Sequence, residues 1–482
     1  MQRRELLKGA AWVGAAAAIS GCADFRLGFG DGGSMCGFRM KPLKRVRVGF
    51  IGLGGRGYWA VRRIALIPGV DIVALCDRKR HRVDMTAQWL RESKRPEPRA
   101  FVGDEAWKAL CDADGIDVVY IATPWAFHAE MAIRTMRCGK VPLVEVPAAM
   151  TVDECWDLVE TSERLKIPCM QLENCCYGEF QLLGLNLTRL GKLGELMHAE
   201  GAYIHDLRDM CDDTNGREGE CEWRYGENRV HKGNRYPTHG LVPVMQAMNV
   251  NRGDRFDYLV SLECDQAAFE LYKESHLPSG NPRRGERVEM GDMNSTLVRT
   301  VRGKSILVQH DVSSPRGYSL IDKLSGTKGI FWGMPWRTHD VKTEFFKCAW
   351  EEKNHDRGAR TFFDDRRTAE VRERYMHPLW KQVGEIAKKV GGHGGMDFIM
   401  DLRWAYCLQN GLPLDMDVYD LAASCSLCEL TEESVRSGSK PVSVPDFTRG
   451  AWKTMKPLEI VTCDLSKIDF GEARNGDRPM DV

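Results

Sequence analysis

Tyr236 and His239 are the side chains in this sequence best suited to move protons. They stand three residues apart in Tyr236-Pro237-Thr238-His239-Gly240, which puts both on one face if the segment is helical. A tuned phenol and a tuned imidazole each exchange protons near neutral pH. The plainer reading of the same spacing is a buried pair that only packs. Tyr203 and His205 alternate with Ile204 as on a strand; one of the two lines a cleft, and Tyr203 is the expected one. His393, with Gly-Gly on both sides, reads as a turn histidine.

A second chemistry lies nearer the start. Val46–Ile51 is an apolar run of strand length. Gly52-Leu53-Gly54-Gly55-Arg56-Gly57 follows, then a helical pattern over Tyr58–Ile67, then Val70–Cys76 ending in Asp77. Strand, glycine turn, helix, strand and acid, in that order, make a dinucleotide fold. Gly52 permits the tight turn, Gly54 lets backbone approach a pyrophosphate, and Gly57 lets helix and strand pack closely. Gly55 and Arg56 belong to the same turn, whose helix offers free N–H groups to phosphate. Asp77 lies 20 residues past Gly57, where a carboxylate takes ribose hydroxyls and repels a 2′-phosphate. NAD is therefore the expected cofactor, with the neighbouring Arg78 keeping NADP open.

The elements that position these residues follow the same alternation. Arg78–Arg99 reads as a solvated helix face ended by Pro96 and Pro98. Ile116–Thr123 is a third strand. Trp125, Ala126, Phe127 and His128 follow at its carboxyl end, where ligands of open α/β sheets sit, so they are expected to border the nicotinamide. Pro142–Val144 is a fourth strand, ending in Glu145 and Val146; Glu145 is expected to orient the cofactor. Thr151 with Glu154 reads as a capping box, and Cys169–Leu172 as the last strand of this unit. Thereafter the pattern changes. Leu185–Gly201 reads as helix and turn, while Ser295–Val301, Ser305–Asp311 and Gly329–Trp332 alternate like strands. The expected fold is an α/β Rossmann domain over 45–170 and an α+β domain over 171–470 with a mostly antiparallel open sheet. The helical tail Arg403–Val435 is expected to pack back on the second domain.

Composition narrows the field. The chain has 482 residues, 43% hydrophobic and 28% charged, with 68 basic and 68 acidic side chains. Zero net charge argues against nucleic-acid binding, and the apolar content against disorder. Seventeen cysteines are too dilute for a disulfide scaffold. Cys211 and Cys221 are the best candidate pair. Cys425-x-x-Cys428 lies in a helical stretch without a second ligand pair, so no metal is expected. Arg3-Arg4, a short apolar stretch and Ile19-Ser20-Gly21-Cys22 make residues 1–22 an export signal similar to twin-arginine and lipobox signals, with Cys22 the lipidation point. Residues 23–44 read as a tether, and the mature protein is expected in the periplasm or at the cell surface.

At this point the chain resembles the Gfo/Idh/MocA oxidoreductases over roughly residues 45–460. In most of that family the fourth strand ends in Glu-Lys-Pro, whose lysine serves the hydroxyl being oxidised; here Val146 takes its place. The variant looks like glycoside hydrolase family 109, the NAD-dependent α-N-acetylgalactosaminidases. Glu145-Val-Pro-Ala-Ala149, Glu173-Asn174-Cys-Cys-Tyr177, Gly194-Glu195-Leu, Tyr203-Ile-His-Asp-Leu-Arg208, Tyr236-Pro-Thr-His-Gly240, Asn249-x-Asn-Arg-Gly253 and Pro315-Arg-Gly-Tyr318 carry the likeness, as does the spacing from Arg224 to Tyr236. The resemblance implies a substrate site of Tyr203, Arg224, Tyr236, Pro237, Thr238, His239 and Tyr318, and adds Asn174 to the cofactor residues. It implies that His239 manages a sugar C3 hydroxyl proton and Tyr318 a C2 proton, with Tyr236 and Tyr203 positioning the sugar, although these roles are open to exchange. No convincing carboxylate pair of the usual glycosidase kind is evident. Transient C3 oxidation, C1–C2 elimination, water addition and re-reduction would replace it. Expected partners are a small-molecule or glycan-terminal sugar and no nucleic acid, with membrane contact only through Cys22 and a homo-oligomer left open. Two alternatives remain: an NAD-dependent sugar or inositol dehydrogenase, and a glycan-binding surface lipoprotein with relic NAD.

Overall fold

The computed structural model describes residues 33–212, 220–335, 344–351, 361–457 and 463. The signal-like segment and Cys22 lie outside them. The first six strands are β1 (Val46–Ile51), β2 (Val70–Asp77), β3 (Arg99–Val102), β4 (Val118–Ile121), β5 (Val141–Val144) and β6 (Met170–Gln171). They form one parallel sheet in the order β3-β2-β1-β4-β5-β6. β4 and β5 are buried throughout, because helices cover both faces of a parallel sheet. The reversal of strand order between β1 and β4 opens the crevice in which such sheets bind ligands. Thr151 and Glu154 form the expected capping box on the helix Val152–Leu165.

The second sheet contains β7 (Leu196–Ile204), β8 (Phe256–Glu263), β9 (Asn294–Thr300), β10 (Ser305–Asp311), β11 (Lys323–Gly326), β12 (Gly329–Pro335), β13 (Glu344–Trp350) and β14 (Val442–Ser443). Its order is β13-β12-β11-β7-β10-β9-β8-β14. Every pair is antiparallel except β7 with β10. One face of the sheet is covered by the helix Thr238–Met248, which lies against β7. Two glycines allow that approach. A Cβ on Gly201 would sit 1.9 Å from the Gly240 carbonyl oxygen, and one on Gly240 would sit 2.4 Å from the Ala202 nitrogen.

Three expectations need correction. Residues 33–44 are not a free tether: Met35, Phe38 and Met40 are buried in the main core. The Met35 N–H donates to the Tyr419 hydroxyl (2.9 Å), and the Leu43 N–H to the Leu408 carbonyl (3.0 Å). The helical tail does not simply return to the second domain. The helix Met396–Asn410 packs on the Rossmann helix Gly55–Ile64, the helix Val418–Cys425 packs on Val152–Leu165, and only Leu427–Arg436 lies against β8. Buried ion pairs from Arg63 to Asp401 (3.1 Å) and Asp397 (3.6 Å) fix the first of these contacts. Finally, Leu185–Gly201 holds only the end of a helix (Glu179–Arg189) and then most of β7, where helix and turn were expected.

Candidate active site

The glycine turn behaves as its chemistry requires. Gly52 has φ +90°, and a Cβ there would lie 2.4 Å from the Ala122 carbonyl oxygen; one on Gly57 would lie 1.9 Å from the Gly52 carbonyl oxygen. These two glycines are needed for packing. Gly55, by contrast, faces open space, and Gly54 meets only the Arg82 side chain at 3.5 Å. The middle of the turn is thus left clear for a pyrophosphate beside free helix N–H groups. The Asp77 carboxylate accepts from Leu53 N–H (2.7 Å) and Lys79 N–H (2.8 Å), so it is oriented by the turn itself at the end of β2.

At the other end of the crevice, Glu145 accepts from Arg56 Nε (2.6 Å) and the Tyr120 hydroxyl (2.5 Å). Asn174 is 2% exposed; its Nδ2 donates to Asp397, and its Oδ1 has no partner. An orphaned buried acceptor at a domain junction, together with the open glycine turn, fits a dinucleotide. Arg56, Asp77, Glu145 and Asn174 are the residues placed to hold it. His128 plays another part. Both of its ring nitrogens contact backbone carbonyls, Pro147 (2.8 Å) and Thr123 (2.7 Å), so the ring ties the ends of β4 and β5 together. Burial pushes its pKa down. Val146 sits in an apolar cluster with Trp125 and Tyr203, while Ala126 and Phe127 are exposed.

The residues expected to move protons meet where β7 ends. Tyr203 is the centre: its ring lies 4.8 Å from Tyr236, 5.3 Å from His239, 5.6 Å from His205 and 6.4 Å from Tyr318. Tyr236 precedes the helix, which begins at Thr238 with Pro237 as its cap. Its hydroxyl nevertheless lies 3.3 Å from His239 Nε2. Burial, then Tyr203, push the Tyr236 phenol well above its usual range, so it is held protonated as a donor. Thr238 is fully buried, with its hydroxyl unpartnered beneath the helix start.

Arg224 reaches the cluster from the helix Glu220–Val230. Its guanidinium carbon is 5.0 Å from both the Trp125 and Trp223 rings and 5.3 Å from Tyr236. Trp125 belongs to the first domain and stacks on Tyr236 at 5.4 Å, so the aromatic wall crosses the domain junction.

Glu173 was not singled out from the sequence, and of the pair Tyr203 and His205 only Tyr203 was chosen to line the cleft. Glu173, completely buried, places Oε1 2.7 Å from His239 Nδ1 and also accepts from Cys175 N–H (3.0 Å). His205 bonds through Nδ1 to the Tyr203 hydroxyl (3.0 Å), and its ring lies 5.0 Å from that of Tyr318. The His205 signal was present, since residues two apart in an extended segment share a face, although β7 itself ends at Ile204. The Glu173 contact spans 66 positions and carried none.

Glu173, Cys175 and His239 each place one ligand atom within 4.8 Å of the others, the one such trio among the described residues. The carboxylate–imidazole bond already accounts for two of the three. Burial, then Glu173, push the Cys175 thiol well up, which keeps it protonated and a poor ligand. Cys425 and Cys428 are likewise buried thiols, bonded to Gln171 and to the Arg235 carbonyl. Cys211 is a free thiol, and the Cys221 side chain lies outside the described residues. His393 does not enter the cluster; it bonds to Asp397 (3.0 Å).

Comparison with known proteins gives a consistent picture. Residues 46–171 match the oxidoreductase family with an NAD-binding Rossmann fold, and residues 177–454 match the C-terminal domain of glycosyl hydrolase 109. A glycosyl hydrolase family 109 protein of Solibacter usitatus is 44% identical over 95% of this chain and 99% of its own length. An alpha-N-acetylgalactosaminidase of Shewanella oneidensis is 43% identical over 89% of this chain and 91% of its own. Among solved structures, levoglucosan dehydrogenase in complex with NADH and levoglucosan superposes with a TM-score of 0.63 at 18% identity, covering 83% of this chain and all of that one. Aldose–aldose oxidoreductase from Caulobacter crescentus gives 0.58 at 14%, with the same coverage. The dehydrogenases share the fold; the match over 177–454 and the near-full-length relatives place this chain in glycosyl hydrolase family 109.

Proposed function

We propose that the protein is an exported, NAD-dependent glycosidase acting on α-N-acetylgalactosaminides or closely related sugars. One observation carries the reading: the aromatic and imidazole groups converge, while the two neighbouring carboxylates are already engaged. Glu145 is bound by Arg56 and Tyr120, and Glu173 by His239 and the Cys175 amide. Both are buried and held through Oε1, with Glu173 Oε2 left unpartnered, which suits them to orienting Arg56 and His239 rather than to flanking a glycosidic bond as paired acids do. Val146 offers no amine to the cleft.

When bound, the dinucleotide supplies a hydride acceptor whose hydride is returned before the cycle ends, so no net oxidation results. The protein's part is proton traffic and orientation. His239, with Nδ1 held by Glu173, presents Nε2 to take the proton of the sugar C3 hydroxyl. Tyr318, with His205 against its ring, handles the C2 proton, which a carbonyl at C3 makes acidic. Departure of the aglycone from C1, addition of water there and reprotonation at C2 complete the hydrolysis. Tyr236 and Tyr203 position the ring, and Arg224 donates to an acetamido or hydroxyl oxygen.

The Arg3-Arg4 signal supports export of the folded protein, since that route carries a chain with its cofactor bound. Purified protein given a chromogenic α-N-acetylgalactosaminide should release aglycone without added cofactor. In heavy water the freed sugar should carry deuterium at C2. NADH accumulating in proportion to sugar consumed would instead establish a dehydrogenase.

A further inference from the structure

Asp397 opens the helix Met396–Asn410, remote in sequence from most of the residues it touches. Its Oδ2 accepts from Arg56 Nη1 (2.7 Å) and lies 3.0 Å from His393 Nδ1; its Oδ1 accepts from Asn174 Nδ2 (2.5 Å). Arg63 adds a fourth contact at 3.6 Å. The carboxylate is 1% exposed. Arg56 belongs to the glycine turn and Asn174 to the junction after β6, so one buried charge ties together both ends of the cofactor crevice.

The local backbone is built to deliver this carboxylate. Residues 391–395 all have positive φ, from 48° at His393 to 103° at Gly395. L-residues rarely adopt that region, and four glycines in five positions make the turn accessible. A Cβ on Gly392 would lie 2.7 Å from Asp397 Cβ, so the turn packs directly on the acid.

What remains after these bonds form is informative. Arg56 is held at Nε by Glu145 and at Nη1 by Asp397, and its side chain still keeps 29% of its surface exposed. Asn174 is held at Nδ2, and its Oδ1 is left as an orphaned buried acceptor. A fixed cationic donor and a fixed acceptor are what a dinucleotide's phosphate and its hydroxyl or amide groups need. We propose that Asp397, presented by the Gly391–Gly395 turn, is the positioning residue that retains NAD, by locking Arg56 and Asn174 in one arrangement. Without it, Arg56 keeps a single anchor and Asn174 is free to turn over. The inference concerns NAD retention alone, so it stands or falls independently of the sugar chemistry.

The test compares full-length wild type, Asp397→Asn and Asp401→Asn. Asp401 lies one turn along the same helix, equally buried and paired with Arg63, but has no bond to Arg56 or Asn174. NAD released on acid denaturation is counted per chain, and NAD is titrated back into stripped protein by fluorescence. Asp397→Asn should co-purify with little NAD and show a Kd raised about tenfold or more, as loss of hydrogen bonds to a charged group gives. Asp401→Asn should keep the wild-type Kd. Wild-type retention by Asp397→Asn, or equal losses in both variants, would overturn the proposal. If Asp397→Asn does not fold, His393→Ala decides: its side chain is 35% exposed, and removing it should raise the Kd about threefold. An unchanged Kd would overturn the proposal.

Discussion

Glu173 Oε1 lies 2.7 Å from His239 Nδ1, and this contact settles which imidazole nitrogen faces the Tyr236 hydroxyl. An ionised carboxylate only accepts, so Nδ1 carries the hydrogen and Nε2 is left as a base. In Glu173→Gln the amide can donate to Nδ1, which stabilises the opposite tautomer and turns Nε2 into a donor. The variant should lose about 10²-fold or more in kcat with little change in KM. Steady-state kinetics on a chromogenic galactosaminide, with NAD content checked in parallel, measures this directly.

Tyr318 and His239 carry separate protons in the proposed cycle, so their variants should fail at different points. His239→Ala should stop the reaction before any label enters the sugar. Tyr318→Phe should keep binding and C3 chemistry but slow exchange at C2. Each should cut turnover by at least about 10²-fold. Incubating substrate in heavy water and reading C2 deuterium by NMR separates the two; near-wild-type rates in both would refute the assignment.

The parts of this architecture set by local rules were legible in the sequence. The glycine turn, β1, β2 and Asp77 follow one another within the first unit, and the structure puts each in its expected place. Tyr236 and His239 were also legible, though the reason for their meeting was not helical spacing alone, since Tyr236 stands before the helix. Contacts between remote positions escaped. Nothing near Glu173 announces His239, and nothing near Asp397 announces Arg56, because sequence distance does not encode how two domains dock. Residues 33–44 were misread for a related reason. Met35, Phe38 and Met40 are spaced irregularly among glycines, and the surface they bury in joins Ser162 and Pro168 of the first domain to Leu414 and Val418 near the C-terminal helices.

Gly240 belongs to the same five-residue segment as Tyr236 and His239, yet its role is packing. A Cβ there would lie 2.4 Å from the Ala202 nitrogen and 2.8 Å from its Cα, backbone that cannot step aside. Gly240→Ala should destabilise the protein by about 2–4 kcal/mol and tilt the helix that carries His239 away from Tyr203. Gly226, in the helix Glu220–Val230, has a helical backbone, and a Cβ added there would meet nothing within 4 Å. Gly226→Ala should be neutral or stabilising by up to about 1 kcal/mol. Thermal melts of the two variants against wild type test the contrast.

Asp322 provides the pH dependence. It lies four residues beyond Tyr318, is 4% exposed, and its Oδ2 has no partner. Burial pushes its pKa from 3.8 up to about 7. The folded state therefore holds a proton that the unfolded state has released between about pH 4 and pH 7, and stability falls as pH rises through that window. Above it the buried charge costs on the order of 2–4 kcal/mol. Asp322→Asn removes the charge, and asparagine tolerates the φ of +44° found at this position. The variant should match wild type near pH 4 and exceed its melting temperature by several degrees near pH 8, about what 2 kcal/mol gives in a chain of this size. A constant difference across the range would mean that the carboxylate is already ionised in the folded protein.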